Sequence, residues 1–342
     1  MKKIFVAMLA LAAATACSND ELVSVNQEAI GFDNAFINNS VRSVETPGFS
    51  QASMFNDFAV YGFVEGASLF NGVKVAKSIT NDQLSSDWKY AGTQYWIAGA
   101  NYDFYAVAPF NGGWSVKTGT TPSDAGATLS FTTTDGTQDL LYAPIVTREG
   151  ANNDYSAVAF TFQHILSKVK FSFKNGYNAS AATIKVKNIK ITNPYKTGEV
   201  ALAAAATWRE QAVAEDFTLN FGMATDNEAT EDKEDVEIAY AYGKTYESQN
   251  ELLLIPGAVT GDYNVTFTVE LLVDKTLVKT YNHKATVAFA PVAGYSYDIK
   301  AIINADNIDP AHEQEPIEFT VNTLPGWNTG TVDNITNTTV NN

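Results

Sequence analysis

The sequence predicts an all-β protein of two Greek-key β-sandwich domains, and three observations carry that prediction. Apolar residues alternate with polar ones at a period of two in stretch after stretch, as they do on a strand with one buried face. Clusters of Gly, Asn, Asp and Pro cut these stretches at the short intervals of hairpin and Greek-key turns. No stretch alternates a strand with a long amphipathic helix, which disfavours a parallel α/β sheet. The 342 residues, 45% hydrophobic and 12% aromatic, suffice to fill two cores of ordinary size.

Taken in order, the first strand-like segment carries Ile30, Phe32 and Phe36 on one parity. An aromatic block from Tyr95 to Pro109 follows, with turns at Asn111-Gly112-Gly113 and Thr134-Asp135-Gly136. Turn residues fill Gly150 to Asp154 and a fresh strand begins at Ala157, so a domain boundary is expected after residue 154. Val169, Phe171 and Phe173 then alternate with outward Lys168, Lys170 and Lys174. Between Thr183 and Ile191 the parity changes, Ile184 and Val186 sharing one and Ile189 and Ile191 the other, which predicts a β-bulge at Asn188. Val200 to Glu210 reads as a strand and loop rather than a helix, because Gly198 and Thr207-Trp208 suit a sheet edge and no caps flank it. The acidic run from Asp226 to Glu237 reads as a solvated loop. The longest alternation is Tyr263 to Val273, with Asn264, Thr266, Thr268 and Glu270 opposite; shorter ones are Tyr295-Tyr297-Ile299 and Ile317-Phe319-Val321.

The N-terminus has the form of an export signal. Lys2 and Lys3 precede an apolar run from Ile4 to Ala14, too short to cross a bilayer, and Ala14-Thr15-Ala16 lead into the lone Cys17. The arrangement resembles a bacterial lipobox, with Ala14 where Leu is commonest. Residues 1–16 are therefore expected to be a signal peptide and Cys17 the lipidated end of a linker over 17–27; an ordinary cleavage near Ala16 is the plainer alternative. No second Cys exists, so the exported chain has no internal disulfide and rests on packing and sheet hydrogen bonds.

The charge excludes some partners. Acidic residues number 38 against 22 basic, a net charge of −16 that becomes −18 once Lys2 and Lys3 are removed. Such a surface repels nucleic acid and anionic lipid, leaving the lipid on Cys17 to attach the chain to the outer membrane.

Catalytic chemistry is not signalled. His164, His283 and His312 lack metal-ligand spacing, and Gly243-Lys244-Thr245 has Ile238 where a phosphate loop needs its first Gly. No G-x-S-x-G or G-x-G-x-x-G turn occurs. The expectation is a protein with no catalytic residue, no metal site and no cofactor.

A series of blocks resembles the fimbrillin family, the type V pilins and pilin-like lipoproteins of Bacteroidetes. They are Glu28-Ala29-Ile30-Gly31-Phe32, Arg42, Tyr95-Trp96 and Tyr102-Asp103-Phe104-Tyr105-Ala106-Val107-Ala108-Pro109. Asp139-Leu140-Leu141-Tyr142-Ala143, Phe162-Gln163-His164-Ile165-Leu166-Ser167-Lys168-Val169 and Leu254-Ile255-Pro256-Gly257 continue the series, which ends at Tyr295-Ser296-Tyr297 and Phe319-Thr320-Val321 before Trp327. Beside the resemblance stands the reading that these aromatic blocks fill a core and that His164 is a hydrogen-bonded structural side chain.

The resemblance implies a fimbrial subunit of two transthyretin-like sandwich domains, over 28–154 and 155–328, that polymerises by strand exchange and supports adhesion. The strand bearing Ile30, Phe32 and Phe36 would be a removable plug in the first domain, and cleavage after Arg42 would release it, leaving Ser43 as the new N-terminus. The tail over 329–342, with Val332, Ile335 and Val340, would be a donor strand only weakly patterned, so a shaft role and an accessory role as tip, minor or anchor component stay equally open. The implied partners are other fimbrial subunits, the outer membrane through Cys17, and a host or bacterial surface ligand. The rival reading is a monomeric surface lipoprotein that binds glycan or peptide on an exposed platform of Tyr90, Tyr95, Trp96, Trp114 or Trp208.

Overall fold

The structure is a computed structural model that describes residues 28–37, 56–80, 83–117, 127–150, 155–178, 182–202, 205–225, 242–257, 259, 262–311 and 317–324. These residues are all-β, with no helix among them. In chain order the strands are β1 (Phe32–Ile37), β2 (Asp57–Val64), β3 (Ala67–Thr80), β4 (Gln83–Tyr90), β5 (Asn101–Ala108), β6 (Trp114–Lys117), β7 (Thr128–Thr132), β8 (Leu141–Glu149) and β9 (Val158–His164). There follow β10 (Ser167–Asn175), β11 (Ala182–Ile191), β12 (Tyr195–Ala201), β13 (Thr207–Val213), β14 (Leu219–Gly222), β15 (Ala224–Thr225), β16 (Thr245–Ser248), β17 (Leu252–Leu254), β18 (Tyr263–Val273), β19 (Thr276–Val287), β20 (Ser296–Ile303) and β21 (Phe319–Leu324).

The alternation read from sequence lands on the strands it foretold. Along β18 buried and outer residues alternate from Tyr263 onward, as they do along β10, where Lys168 and Lys170 turn outward to meet Glu251 at 3.0 Å and Glu247 at 2.6 Å. Asn188 adopts a φ of 54° and the β11–β18 register slips between Lys187 and Lys190, so the bulge is real and Ile184, Val186, Ile189 and Ile191 are all buried. The Val200 region is a strand, β12, continued by β13 in a hairpin. The acidic run 226–237 lies outside the described residues.

Four sheets result. A seven-stranded sheet runs β1-β9-β8-β5-β2-β3-β4, and a four-stranded sheet β13-β12-β7-β6 lies on one of its faces. The other two sheets, β14-β11-β18-β19 and β15-β16-β10-β20-β21 with β17 on β10, enclose a separate core that includes Phe171, Phe173, Phe221, Phe267 and Phe319. Two of the ladders, β1 with β9 and β10 with β20, are parallel within this otherwise largely antiparallel set.

The seven-stranded sheet is not flat. Six strand spacings of about 4.8 Å would hold β1 and β4 roughly 29 Å apart, yet the rings of Phe32 on β1 and Tyr90 on β4 have centroids 5.5 Å apart. The sheet therefore curls until its edges meet, wrapping an aromatic core of Phe32, Phe58, Phe70, Trp88, Phe104, Phe160 and Phe162. Gly62 on β2 makes the curl feasible: a Cβ there would come within 2.8 Å of the Phe70 and Phe104 rings.

Backbone pairing crosses the boundary expected after residue 154. Strand β9 joins the first sheet because Val158, Phe160 and Phe162 supply one wall of its core. Strand β12 returns from further along to pair with β7, bringing β13 beside it, and Val200, Leu202 and Trp208 cover Leu129 and Phe131 there. The apolar residues thus form three clusters, where the sequence suggested two.

Candidate functional site

The segment from Glu28 to Ile37 is the first described stretch of the chain, and it changes partners midway. Its start pairs antiparallel with the stretch after β4: Ile30 N donates to the Gln94 carbonyl at 2.8 Å, and Trp96 N to the Glu28 carbonyl at 3.0 Å. From Gly31 onward it pairs parallel with β9, Val158 N donating to the Gly31 carbonyl at 2.8 Å. Between these two grips the Tyr90 hydroxyl donates to the Ile30 carbonyl at 2.8 Å and accepts from Gln94 N at 3.2 Å. One phenol therefore ties the segment to the loop that flanks it.

Ile30 and Phe32 are 1% and 4% exposed, so both lie inside the core of the curled sheet. Phe32 sits in a cage of five rings from five strands. Phe160 stacks on it at 5.9 Å, while Phe58, Phe70, Tyr90 and Phe104 present edges at 6.3, 5.5, 5.5 and 6.2 Å. Edge-to-face pairs at such distances add to simple burial. Burying Ile30 and Phe32 contributes about 1.5 to 3 kcal/mol each, and each backbone bond about 1 kcal/mol net. All of those partners belong to residues 58–160, so the segment is held by contacts that a strand of like chemistry could reproduce.

The backbone of Phe36 is paired opposite Thr161 in β1. Cys17, Arg42, Ser43, Val332, Ile335 and Val340 lie outside the described residues. The structure thus brings Ile30 and Phe32 together in one seat. Tyr90 and the cage rings Phe58, Phe70, Phe104 and Phe160 were not singled out from sequence as partners of that strand. Their signal was the shared parity of Phe58 with Val60 and of Phe160 with Phe162, which marks a buried face but not which strand lies across it.

The five rings of the rival platform are mostly core. Trp96 is buried against Tyr102 at 4.8 Å, and Tyr90 packs on Phe32. Trp208 packs on Phe131 at 6.2 Å and donates to the Ile165 carbonyl, while Trp114 donates to the Pro109 carbonyl at 2.8 Å. Only Tyr95 of the five is exposed.

The titratable groups read as structural. His164 Nδ1 lies 2.5 Å from Asp139 Oδ2, both side chains buried, which makes the His164 block a locked core element. Tyr61 and Tyr105 stack at 4.9 Å between the two sheets; burial pushes the Tyr61 phenol up to about 12 and raises those of Tyr105 and Tyr142 as well. His283 stacks on Phe267 at 4.9 Å, and desolvation pulls it down to about 4 against the pull of the Ile308 backbone and the Asp309 carboxylate. Among the described residues no group of three His, Cys, Asp or Glu side chains is placed to hold a metal ion.

Residues 49–323 match a family model described as fimbrillin-like. Similar solved structures include a candidate cell adhesion protein from Bacteroides uniformis, 17% identical over 88% of this chain and 98% of that one, with a TM-score of 0.47. Another from Parabacteroides distasonis is 12% identical over 88% and 98%, with a TM-score of 0.48. A candidate polysaccharide-binding protein from Bacteroides thetaiotaomicron is 12% identical over 87% and 97%, with a TM-score of 0.42. No curated protein matches the chain.

Proposed function

The chain belongs to the fimbrillin-like family, and on that premise we propose that it is a subunit or accessory component of a type V fimbria, joined to its neighbours by strand exchange. Family membership supports a fimbrial, cell-surface role in adhesion. The finer reading is that cleavage after Arg42 frees the segment ending in β1, and that a strand from another subunit takes its place. The single observation supporting it is the seating of Ile30 and Phe32 in a core whose other walls all come from beyond the expected cleavage point. Removing that segment leaves an apolar trough and an unpaired edge on β9, which water does not tolerate and an incoming strand repairs.

The reading gives Cys17 the role of an outer-membrane lipid anchor before processing, with residues 1–16 removed as a signal peptide. The tail with Val332, Ile335 and Val340 is then a strand available to another subunit. No catalytic step is assigned, and the sandwich domains act as a scaffold. Replacing the chain in its native cells with an Arg42→Ala variant tests this. The variant should stay out of the isolated fimbrial fraction and keep its original N-terminus, whereas the natural chain should be found there beginning at Ser43. Incorporation of the variant to the same level as the natural chain would overturn the proposal.

A further inference from the structure

We infer that the seat of β1 selects its replacement strand by a single aromatic side chain two residues after an aliphatic one, and that residues 329–342 of a second copy are not that strand. The inference rests on the reading that β1 leaves its seat, and it names what enters.

The register of the seat is fixed at both ends. Ala29 is held opposite Tyr95, the Ile30 carbonyl by the Tyr90 hydroxyl, and Phe32 opposite Val158 on a parallel partner. A shift of one residue would exchange the faces of the strand and place Gly31 or Asp33 where the cage expects a ring. At the position of Phe32 five aromatic side chains converge. A small or aliphatic residue there leaves part of the cage empty, and the surrounding strands, closed on themselves, cannot collapse to fill it.

The chain's own tail does not match this template. Residues 329–342 contain no aromatic residue, and Val332, Ile335 and Val340 are never two apart. The last aromatic residue, Trp327, has Pro325 two positions before it, where a proline supplies no N–H to a ladder. The fitting occupant is a segment of another subunit with an aliphatic-x-aromatic pair, running parallel to β9.

The test uses the full chain cleaved after Arg42, unfolded in denaturant and refolded with excess labelled peptide. Three peptides are compared: residues 28–37, the same sequence with Phe32→Ala, and residues 329–342. Label that travels with the chain through gel filtration measures occupancy. The first peptide should be retained, the Phe32→Ala peptide should need a concentration at least about 100-fold higher, and the tail peptide should not be retained. Retention of the tail peptide within about threefold of the first, equal retention of the Phe32→Ala peptide, or retention of none would each overturn the inference. Release of β1 from the cleaved chain without denaturant is followed separately by mass spectrometry. If β1 stays bound while refolded chains still sort the peptides as expected, strand release fails and the selectivity stands.

Discussion

Phe32 touches rings from β2, β3, β4, β5 and β9, so one side chain joins strands that are distant both in sequence and around the sheet. Phe32→Ala should lower the unfolding free energy by about 3 to 5 kcal/mol in urea titrations, and Tyr90→Phe, which keeps the ring but loses the bond to the Ile30 carbonyl, by about 1 kcal/mol. A Phe32→Ala loss below that of Tyr90→Phe would show that the cage collapses around the gap. His283 makes a second residue-scale prediction. Its folded value near 4 lies below the ordinary 6.5. The unfolded chain therefore takes up a proton as pH falls from about 6.5 to 4 while the folded chain does not. Stability present in full above pH 6.5 is lost over that interval, by about 3 kcal/mol at its lower end. His283→Leu should flatten this part of the stability profile relative to the natural chain, and parallel profiles would refute the assignment. That His164 is structural was legible from its apolar neighbours in sequence. Its partner Asp139, 25 residues earlier, was not, since nothing local connects the two.

At the scale of elements, parity was the informative signal. The phase change around Asn188 located a bulge because each strand residue faces one side or the other, and an extra residue reverses the sides. Phe171, Phe173 and the alternation of β18 were readable for the same reason. The turn between β18 and β19 is less well served by its residues. Asp274 and Lys275 hold φ values of 48° and 65° between Val273 and Thr276, a two-residue hairpin loop that favours Asn-Gly. Replacing Asp274-Lys275 with Asn-Gly should raise the melting temperature, with a gain of about 1 kcal/mol; an unchanged or lower melting temperature would mean the two side chains make compensating contacts. Strand β1 shows what parity does not reveal. Its apolar face was evident, but its change from an antiparallel to a parallel partner at Gly31 depends on two segments about 65 and 127 residues further on.

Across the whole molecule, the expected division after residue 154 is bridged by three ladders, β1 with β9, β8 with β9 and β7 with β12. The piece 155–328 keeps the whole core around Phe171 and Phe267 and should give a dispersed amide spectrum when produced alone, whereas 28–154 should lack one, because it is without the β9 wall of its aromatic core and the cover of β12. Mixing the two should give 28–154 a dispersed spectrum as well. A dispersed spectrum from 28–154 alone would support a division at residue 154. The all-β class, the alternation along the strands, the place of one bulge and the apolar face of the first strand could all be read from the order of the amino acids. Those properties are set by the two-residue period of the backbone and the chemistry of neighbouring side chains. That the first sheet curls until Phe32 meets Tyr90, and that later strands return to cover it, emerges only once the chain is folded. Closure and pairing depend on which distant surfaces bury most completely together, and that sum over the whole chain is written in no local stretch.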